Sequence, residues 1–122
     1  MAHSPAFLKI VDEAKKNIKE TTIAAVKGRI GRGEEFHLID VREDHEWGRG
    51  RIPGALHIGR GILERDIEGA ISDKAAEVIL YCGGGFRSAL AAENLQKMGY
   101  SNVWSMDGGY RGWVDAQGAV EK

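Results

Sequence analysis

Cys82 is the single cysteine of a 122-residue chain, and Gly83, Gly84, Gly85, Phe86, Arg87 and Ser88 follow it directly. A deprotonated thiol is among the strongest nucleophiles a side chain offers. Three adjacent glycines let successive peptide N–H groups turn toward one point without steric cost. Arg87 and Ser88 then open a segment of helical spacing, whose amino end adds partial positive charge. The order describes a nucleophile at the base of an anion cradle, and surroundings of that kind favour the thiolate. The plainer alternative is a small buried Cys at a strand end, followed by a tight turn. Three glycines with Arg and Ser at a helix start favour the cradle. From the loop alone, the cradled anion is either a sulfur species or a phosphate.

A loop of this kind needs a rigid frame, and the rest of the chain supplies one. Val78 to Tyr81 is continuous and apolar, as in a strand covered on both faces, and it delivers Cys82 at its carboxyl end. Ser88 to Met98 carries Ala91, Leu95 and Met98 on one helical face and stops at Gly99. Upstream, Ser4 and Pro5 read as the cap and first position of a helix over about 5–17, with Phe7, Leu8, Val11, Ala14 and Ile18 in its stripe. Thr22 starts a second helix that Gly31 and Gly33 end. Phe36 to Val41 reads as a strand, Gly48 to Gly61 as a long packed connection, and Ile62 to Ile71 as a helix. Asn102 to Met106 reads as a strand, Gly108 and Gly109 as a turn, and Tyr110 to Val114 as a short final helix. Strands alternating with helices predict a mostly parallel α/β sheet, with sites at the carboxyl ends of strands. Two such places are Asp40 to Arg42 and Cys82 to Ser88.

The length is that of one domain. Seventeen Lys and Arg against 18 Asp and Glu give a net charge of −1, which offers no footprint for nucleic acid or an acidic membrane surface. The longest apolar run is five residues, Val78 to Cys82, against the roughly 20 of a membrane span. The chain is thus expected to be soluble. One cysteine forms no internal disulfide, and Met1 to Phe7 has neither a basic stretch nor an apolar signal core, so a reducing, cytoplasmic setting is expected. Gly59 Arg60 Gly61 and Gly48 Arg49 Gly50 do not complete a dinucleotide fingerprint. The Cys and His residues form no metal-like cluster, so neither metal nor cofactor is expected.

Beyond the local chemistry, the chain resembles a known family. The residues that carry the likeness are Ile39 Asp40 Val41 Arg42 Glu43, Glu46 Trp47, Gly50 Arg51 Ile52 Pro53 Gly54 Ala55, Tyr81 to Ser88, Gly99 Tyr100, Asn102 Val103 and Asp107 Gly108 Gly109. In this order they are similar to single-domain rhodaneses, from about Ile18 to Trp113. The resemblance implies a rhodanese fold over 18–122, a mostly parallel sheet wrapped by helices, with 1–17 as an extra amino-terminal helix. It implies a sulfurtransferase in which Cys82 takes a sulfane sulfur from a donor such as thiosulfate and passes the persulfide sulfur to cyanide, a thiol or a protein partner. A sulfur-carrier or regulatory module would use the same residues. A Cys phosphatase or arsenate reductase is the more distant alternative, because phosphatases with such a cradle place five residues between Cys and Arg, and Cys82 and Arg87 are separated by four.

The resemblance also assigns supporting roles. Gly83 to Ser88 form the persulfide-binding loop, with Arg87 and Ser88 holding its shape. Asp40 lies behind that loop and is expected to touch Arg87, and Arg42 is expected to pair with Glu46. Asp40 and Arg42, one residue apart, are expected to face opposite ways. Arg60 is a candidate for the pocket rim, where it would attract an anionic donor. Arg51 stands where the family commonly has His, and no catalytic part is assigned to it. His45 and His57 are expected to be surface or loop residues, and Trp47, Trp104 and Trp113 core or pocket wall.

Overall fold

The computed structural model describes residues 3–122; Met1 and Ala2, the first two residues of the expected extension, lie outside the described residues. Six helices and five short strands follow one another: α1 (Pro5–Lys15), β1 (Lys19–Thr21), α2 (Ile23–Gly31), β2 (His37–Asp40), α3 (Asp44–Arg49), β3 (Leu56–His57), α4 (Leu63–Ala70), β4 (Val78–Tyr81), α5 (Phe86–Lys97), β5 (Val103–Met106) and α6 (Gly109–Asp115). The sheet order is β1-β5-β4-β2-β3 and every strand pairing is parallel. β4 lies at the centre, flanked by β5 and β2, so Cys82 emerges at the middle of the sheet's carboxyl edge.

Alternation along β4 explains why its sequence is apolar throughout. Val78, Leu80 and then Cys82 point into a core with Ile39, Leu63, Ile67, Ala92 and Leu95. Ile79 and Tyr81 point the other way, into a second core with Val26, Leu38, Ile52, Met106 and Trp113. Both faces of the strand are sealed, and the only polar atoms left to be used are those at its end.

Helix starts follow the expected chemistry. Ser4 Oγ accepts from Phe7 N at 3.2 Å, and Thr22 Oγ1 accepts from Ala25 N at 3.1 Å. Three elements depart from the sequence reading. β1 is an edge strand of Lys, Glu and Thr, too polar and short to show a period. The stretch from Gly48 to Gly61 is less uniform than a connection: α3 ends inside it, β3 pairs with β2, and Arg51 bridges antiparallel to Glu121. α5 begins at Phe86, one residue before Arg87, so the loop after Cys82 is one residue shorter than expected.

α1 packs along α5, with Val11 and Ala14 both 1% exposed. An extension held by two buried apolar residues must unfold with the body it covers. Val11→Ala should cost about 2 kcal/mol, the scale for removing two buried methyl groups with partial collapse of the space. Urea unfolding followed by circular dichroism should show that loss in a single transition. An unchanged midpoint, or a separate early phase, would mean that α1 is not part of the cooperative unit.

Candidate active site

The loop after β4 is shaped by where its carbonyls go. Cys82 O accepts from Tyr110 N at 2.7 Å, and Gly83 O accepts from Arg111 N at 3.0 Å. Both acceptors are thereby turned toward α6 and away from the thiol. Two donors face the sulfur in their place: Gly85 N lies 3.2 Å and Ser88 N 3.4 Å from Cys82 Sγ. Gly85 has φ +98°, in the left-handed region that glycine occupies without strain. Gly109 is needed for a second reason, since a Cβ there would stand 2.5 Å from Cys82 O and 2.7 Å from Gly83 C.

Cys82 is 1% exposed, at the floor of the loop. Its Sγ also lies 3.5 Å from Ser88 Oγ, which shares a 2.7 Å hydrogen bond with Ser105 Oγ. Both serines are fully buried. A hydroxyl can rotate its proton, so this pair accepts from a thiol or donates to a thiolate through Ser88. Ser105 carries no sequence signal: it is a small polar residue in β5 whose neighbours are apolar, and only the register of β5 on β4 brings it beside Ser88.

The flanking charges are paired differently from expectation. Arg87 sends Nη1 to Glu46 Oε1 at 2.7 Å and Nη2 to Glu46 Oε2 at 3.1 Å. Glu46 belongs to Arg87, then, and not to Arg42. The bond to Arg87 holds the Glu46 carboxyl down at about 2, against the opposing effect of burial, and Glu46 in return raises Arg87. Arg42 instead takes Asp40, with Nε 3.1 Å from both carboxylate oxygens and Nη2 2.8 Å from Oδ2, and it reaches Gly50 O at 2.7 Å. Asp40 and Arg42 therefore face the same way, as residues two apart in an extended chain do. Asp40 reaches neither Arg87 nor the loop. Burial pulls the Arg42 guanidinium down, but Asp40's hydrogen bonds and charge outweigh it and leave the group raised. Its plane lies 4.2 Å from the Tyr110 ring centre, which ties β2 to α6.

Phe86 points away from the sulfur and toward α1, with Phe7 at 6.2 Å and His3 at 4.9 Å between ring centres. Arg60 gives Nη1 to both oxygens of Glu64, at 2.9 and 2.8 Å, and Glu64 also takes Asn94 Nδ2 at 2.7 Å. It closes the Gly59–Gly61 turn onto α4 and α5. His57 is more engaged than a surface residue: it stacks on Trp47 with ring centres 4.8 Å apart, and its Nε2 donates to Arg42 O at 2.8 Å. Among the described residues, no group of three His, Cys, Asp or Glu side chains converges as metal ligands would.

An open cavity of about 330 Å³ adjoins the loop at Gly83, walled by Arg42, Glu46, Tyr110, Arg111 and Asp115. The sequence marks Tyr110 and Arg111 through their offset from Gly108 and Gly109 alone, because the turn that fits under the loop also sets them beside it. A larger groove of about 650 Å³ lies at the opposite end of the sheet, against Phe36, Leu38 and Pro53, away from this chemistry.

Comparison with known proteins places the chain among named relatives. YtwF of Bacillus subtilis, which carries the name of a sulfurtransferase, is 40% identical over 96 residues, 79% of this chain and 90% of that one. YrkF of the same organism, named as a sulfur carrier protein, is 31% identical over 102 residues, 84% of this chain but 54% of YrkF, so the chain spans about half of that relative. A solved structure from Rhodopseudomonas palustris, a protein of unknown function described as a possible tyrosine phosphatase, is 32% identical with a TM-score of 0.89 over 99% of this chain and 98% of that one. The model of the rhodanese-like domain matches residues 12–116, taking in the Cys82 loop, both arginine–carboxylate pairs and the α6 turn beneath, and the chain accordingly belongs to the rhodanese-like sulfurtransferase family.

Proposed function

We propose that the protein moves a sulfane sulfur from a thiosulfate-type donor to cyanide or a thiol through a persulfide on Cys82. The observation that carries the reading is the convergence of Gly85 N–H and Ser88 N–H on Cys82 Sγ. Donors fixed around one sulfur stabilise negative charge there without reorganising. In the first step the Cys82 thiolate attacks the outer sulfur of thiosulfate. A new S–S bond forms, the bond to the sulfonate sulfur breaks, and its electron pair leaves with sulfite. Ser88 O–H donates to the anionic sulfur while Ser105 O–H donates to Ser88 Oγ, so the charge is met by a hydroxyl that is itself satisfied. In the second step cyanide or an external thiolate attacks the outer persulfide sulfur, and the pair returns to Cys82. With one cysteine in the sequence, the acceptor is external.

Gly83, Gly84 and Gly85 supply the turn in this reading, and Phe86 anchors it to α1. Arg87 has a mechanical task. Its guanidinium is bound at both ends of the Glu46 carboxylate, which latches the start of α5 to α3 across the loop. Asp40 and Arg42 brace the far wall, and Arg60 is a turn support. The helix Pro5–Lys15, within the extension over 1–17, is read as part of the loop's frame beside a domain of 18–122. A sulfur carrier fed by a protein donor would use the same persulfide, and the likeness to YrkF favours keeping that mode as a second reading. Phosphate transfer is disfavoured by the four-residue spacing from Cys82 to Arg87 and by the commitment of Arg87 to Glu46.

Incubating the protein with thiosulfate, free of reductant, should raise its intact mass by one sulfur, and cyanide should remove it with release of thiocyanate. Cys82→Ser should show neither the adduct nor turnover while unfolding at close to the native midpoint. Aryl phosphates should not be hydrolysed. Phosphatase activity without any sulfur adduct would overturn the reading.

The Glu46 latch has its own signature. Because the folded carboxyl is held at about 2, below its ordinary 4.5, the unfolded chain binds that proton first as pH falls. The stabilisation is complete above about 4.5 and is lost as pH drops toward 2. Glu46→Gln should therefore show a shallower decline in unfolding free energy over that window than the native chain. Parallel curves would mean that the pair contributes nothing in solution.

A further inference from the structure

The loop offers no cation of its own to choose a donor, because the one guanidinium it contains, Arg87, is consumed by Glu46. The cavity beside Gly83 holds two more. Arg42 is spent on Asp40 and Gly50 O and is 4% exposed. Arg111 is different. Its backbone N–H is fixed on Gly83 O at 3.0 Å, so its Cα is tied to the loop, yet its exposed side chain has no hydrogen-bond or ion-pair partner among the described residues. Asp115, one turn along α6 on the same wall, makes no ion pair with it. A cavity lined by two guanidiniums, one neutralised and the other uncommitted, has one place for an incoming anion.

We infer that Arg111 is the specificity residue for the donor, holding its anionic half while the outer sulfur is presented to Cys82. The ligand class is a sulfane sulfur joined to a sulfonate or carboxylate. The guanidinium fits a planar edge of such oxygens with two parallel N–H bonds. In the thiosulfate case the bound sulfonate takes the electron pair of the broken S–S bond and departs as sulfite, so Arg111 meets growing negative charge as the bond breaks. The contact strengthens toward the transition state and so contributes to kcat as well as to KM, and kcat/KM reports it whole. Asp115 works against it, and its carboxylate limits how strongly a dianion is held, which lets sulfite leave. This assignment rests on the sulfur-transfer reading above.

The test compares two donors of different charge. Thiosulfate carries the anion, whereas the persulfide of 2-mercaptoethanol transfers its outer sulfur to Cys82 and releases an alcohol-bearing thiolate with no anionic tail. Arg111→Ala keeps the backbone N–H and alters an exposed side chain, so it should fold; thermal unfolding checks this. It should lower kcat/KM for thiosulfate about tenfold, the size of one lost charge-assisted contact. The kcat/KM for the persulfide, whose leaving half has no anionic tail, should move less than twofold. Arg111→Lys should recover only part of the loss, since an ammonium supplies the charge without the two parallel bonds, Asp115→Asn should raise the thiosulfate kcat/KM two- to threefold, and added salt should shrink the difference between native and Arg111→Ala. A native-like thiosulfate kcat/KM in Arg111→Ala, or an equal loss for both donors, would overturn the assignment of Arg111 alone. A native protein that takes sulfur from neither donor would instead bring down the sulfur-transfer reading, and this inference with it.

Discussion

The site depends on one constraint: the carbonyls of Cys82 and Gly83 are both occupied by α6. A peptide has two polar ends, and fixing where its oxygen points fixes its N–H within narrow limits. Once Tyr110 N and Arg111 N hold those two oxygens, the chain between Cys82 and α5 must turn back, and Gly85 in its left-handed conformation completes the turn with its N–H on the sulfur. The contact requires Gly109, because any side chain there would occupy the space of Cys82 O. The thiol is thus positioned from below, by a turn 26 residues away in sequence, at least as much as by the glycines beside it.

Two arginine–carboxylate pairs then divide the labour around this loop. Asp40–Arg42 is buried, 0% and 5% exposed at the side chains, and a pair so far from water persists only because each partner satisfies the other and Gly50 O takes the remaining N–H. It fixes β2, the α3 exit and Tyr110 as one wall. Glu46–Arg87 is half in solvent, at 25% and 32%, and acts as a latch between α3 and α5. Had Arg42 taken Glu46, Asp40 would be left as an unpaired buried carboxylate, which costs far more than an exposed one. Burial therefore selects the partners.

That selection is what the sequence could not disclose. The central strand, the helix after the loop and the glycine cradle were legible because each is local: a continuous apolar run, a 3.6-residue period, three consecutive glycines. The partners of Asp40, Arg42, Glu46 and Arg87 depend on which carboxylate is deepest, a property of packing. The same holds for Arg60, where flanking glycines suggested an exposed rim and Glu64 one turn on captured the guanidinium instead. β1 and β3 were illegible for another reason. Three and two residues long, they are too short to show alternation and exist as strands only because β5 and β2 offer free edges. Ser105 and Arg111 join the site through strand register and the α6 turn, which no single-sequence period encodes.

α1 shows how a segment beyond the motif residues still bears on the chemistry. Its Lys15 Nζ stands 5.3 Å from the Phe86 ring centre and 3.7 Å from Asp107 Oδ1. Phe86 follows Gly85 in the loop, and Asp107 lies directly under Gly85, where an added Cβ would come within 3.4 Å of the Asp107 Cα. The helix therefore touches both neighbours of the residue whose N–H faces the sulfur, with Phe7 and His3 packing on the far side of Phe86. Each contact is weak alone, since an exposed ion pair or cation–π contact contributes about 0.5–1 kcal/mol. Their effect is geometric. A donor that must stay within a few tenths of an ångström of one sulfur gains from being held by α6, α5 and α1 together.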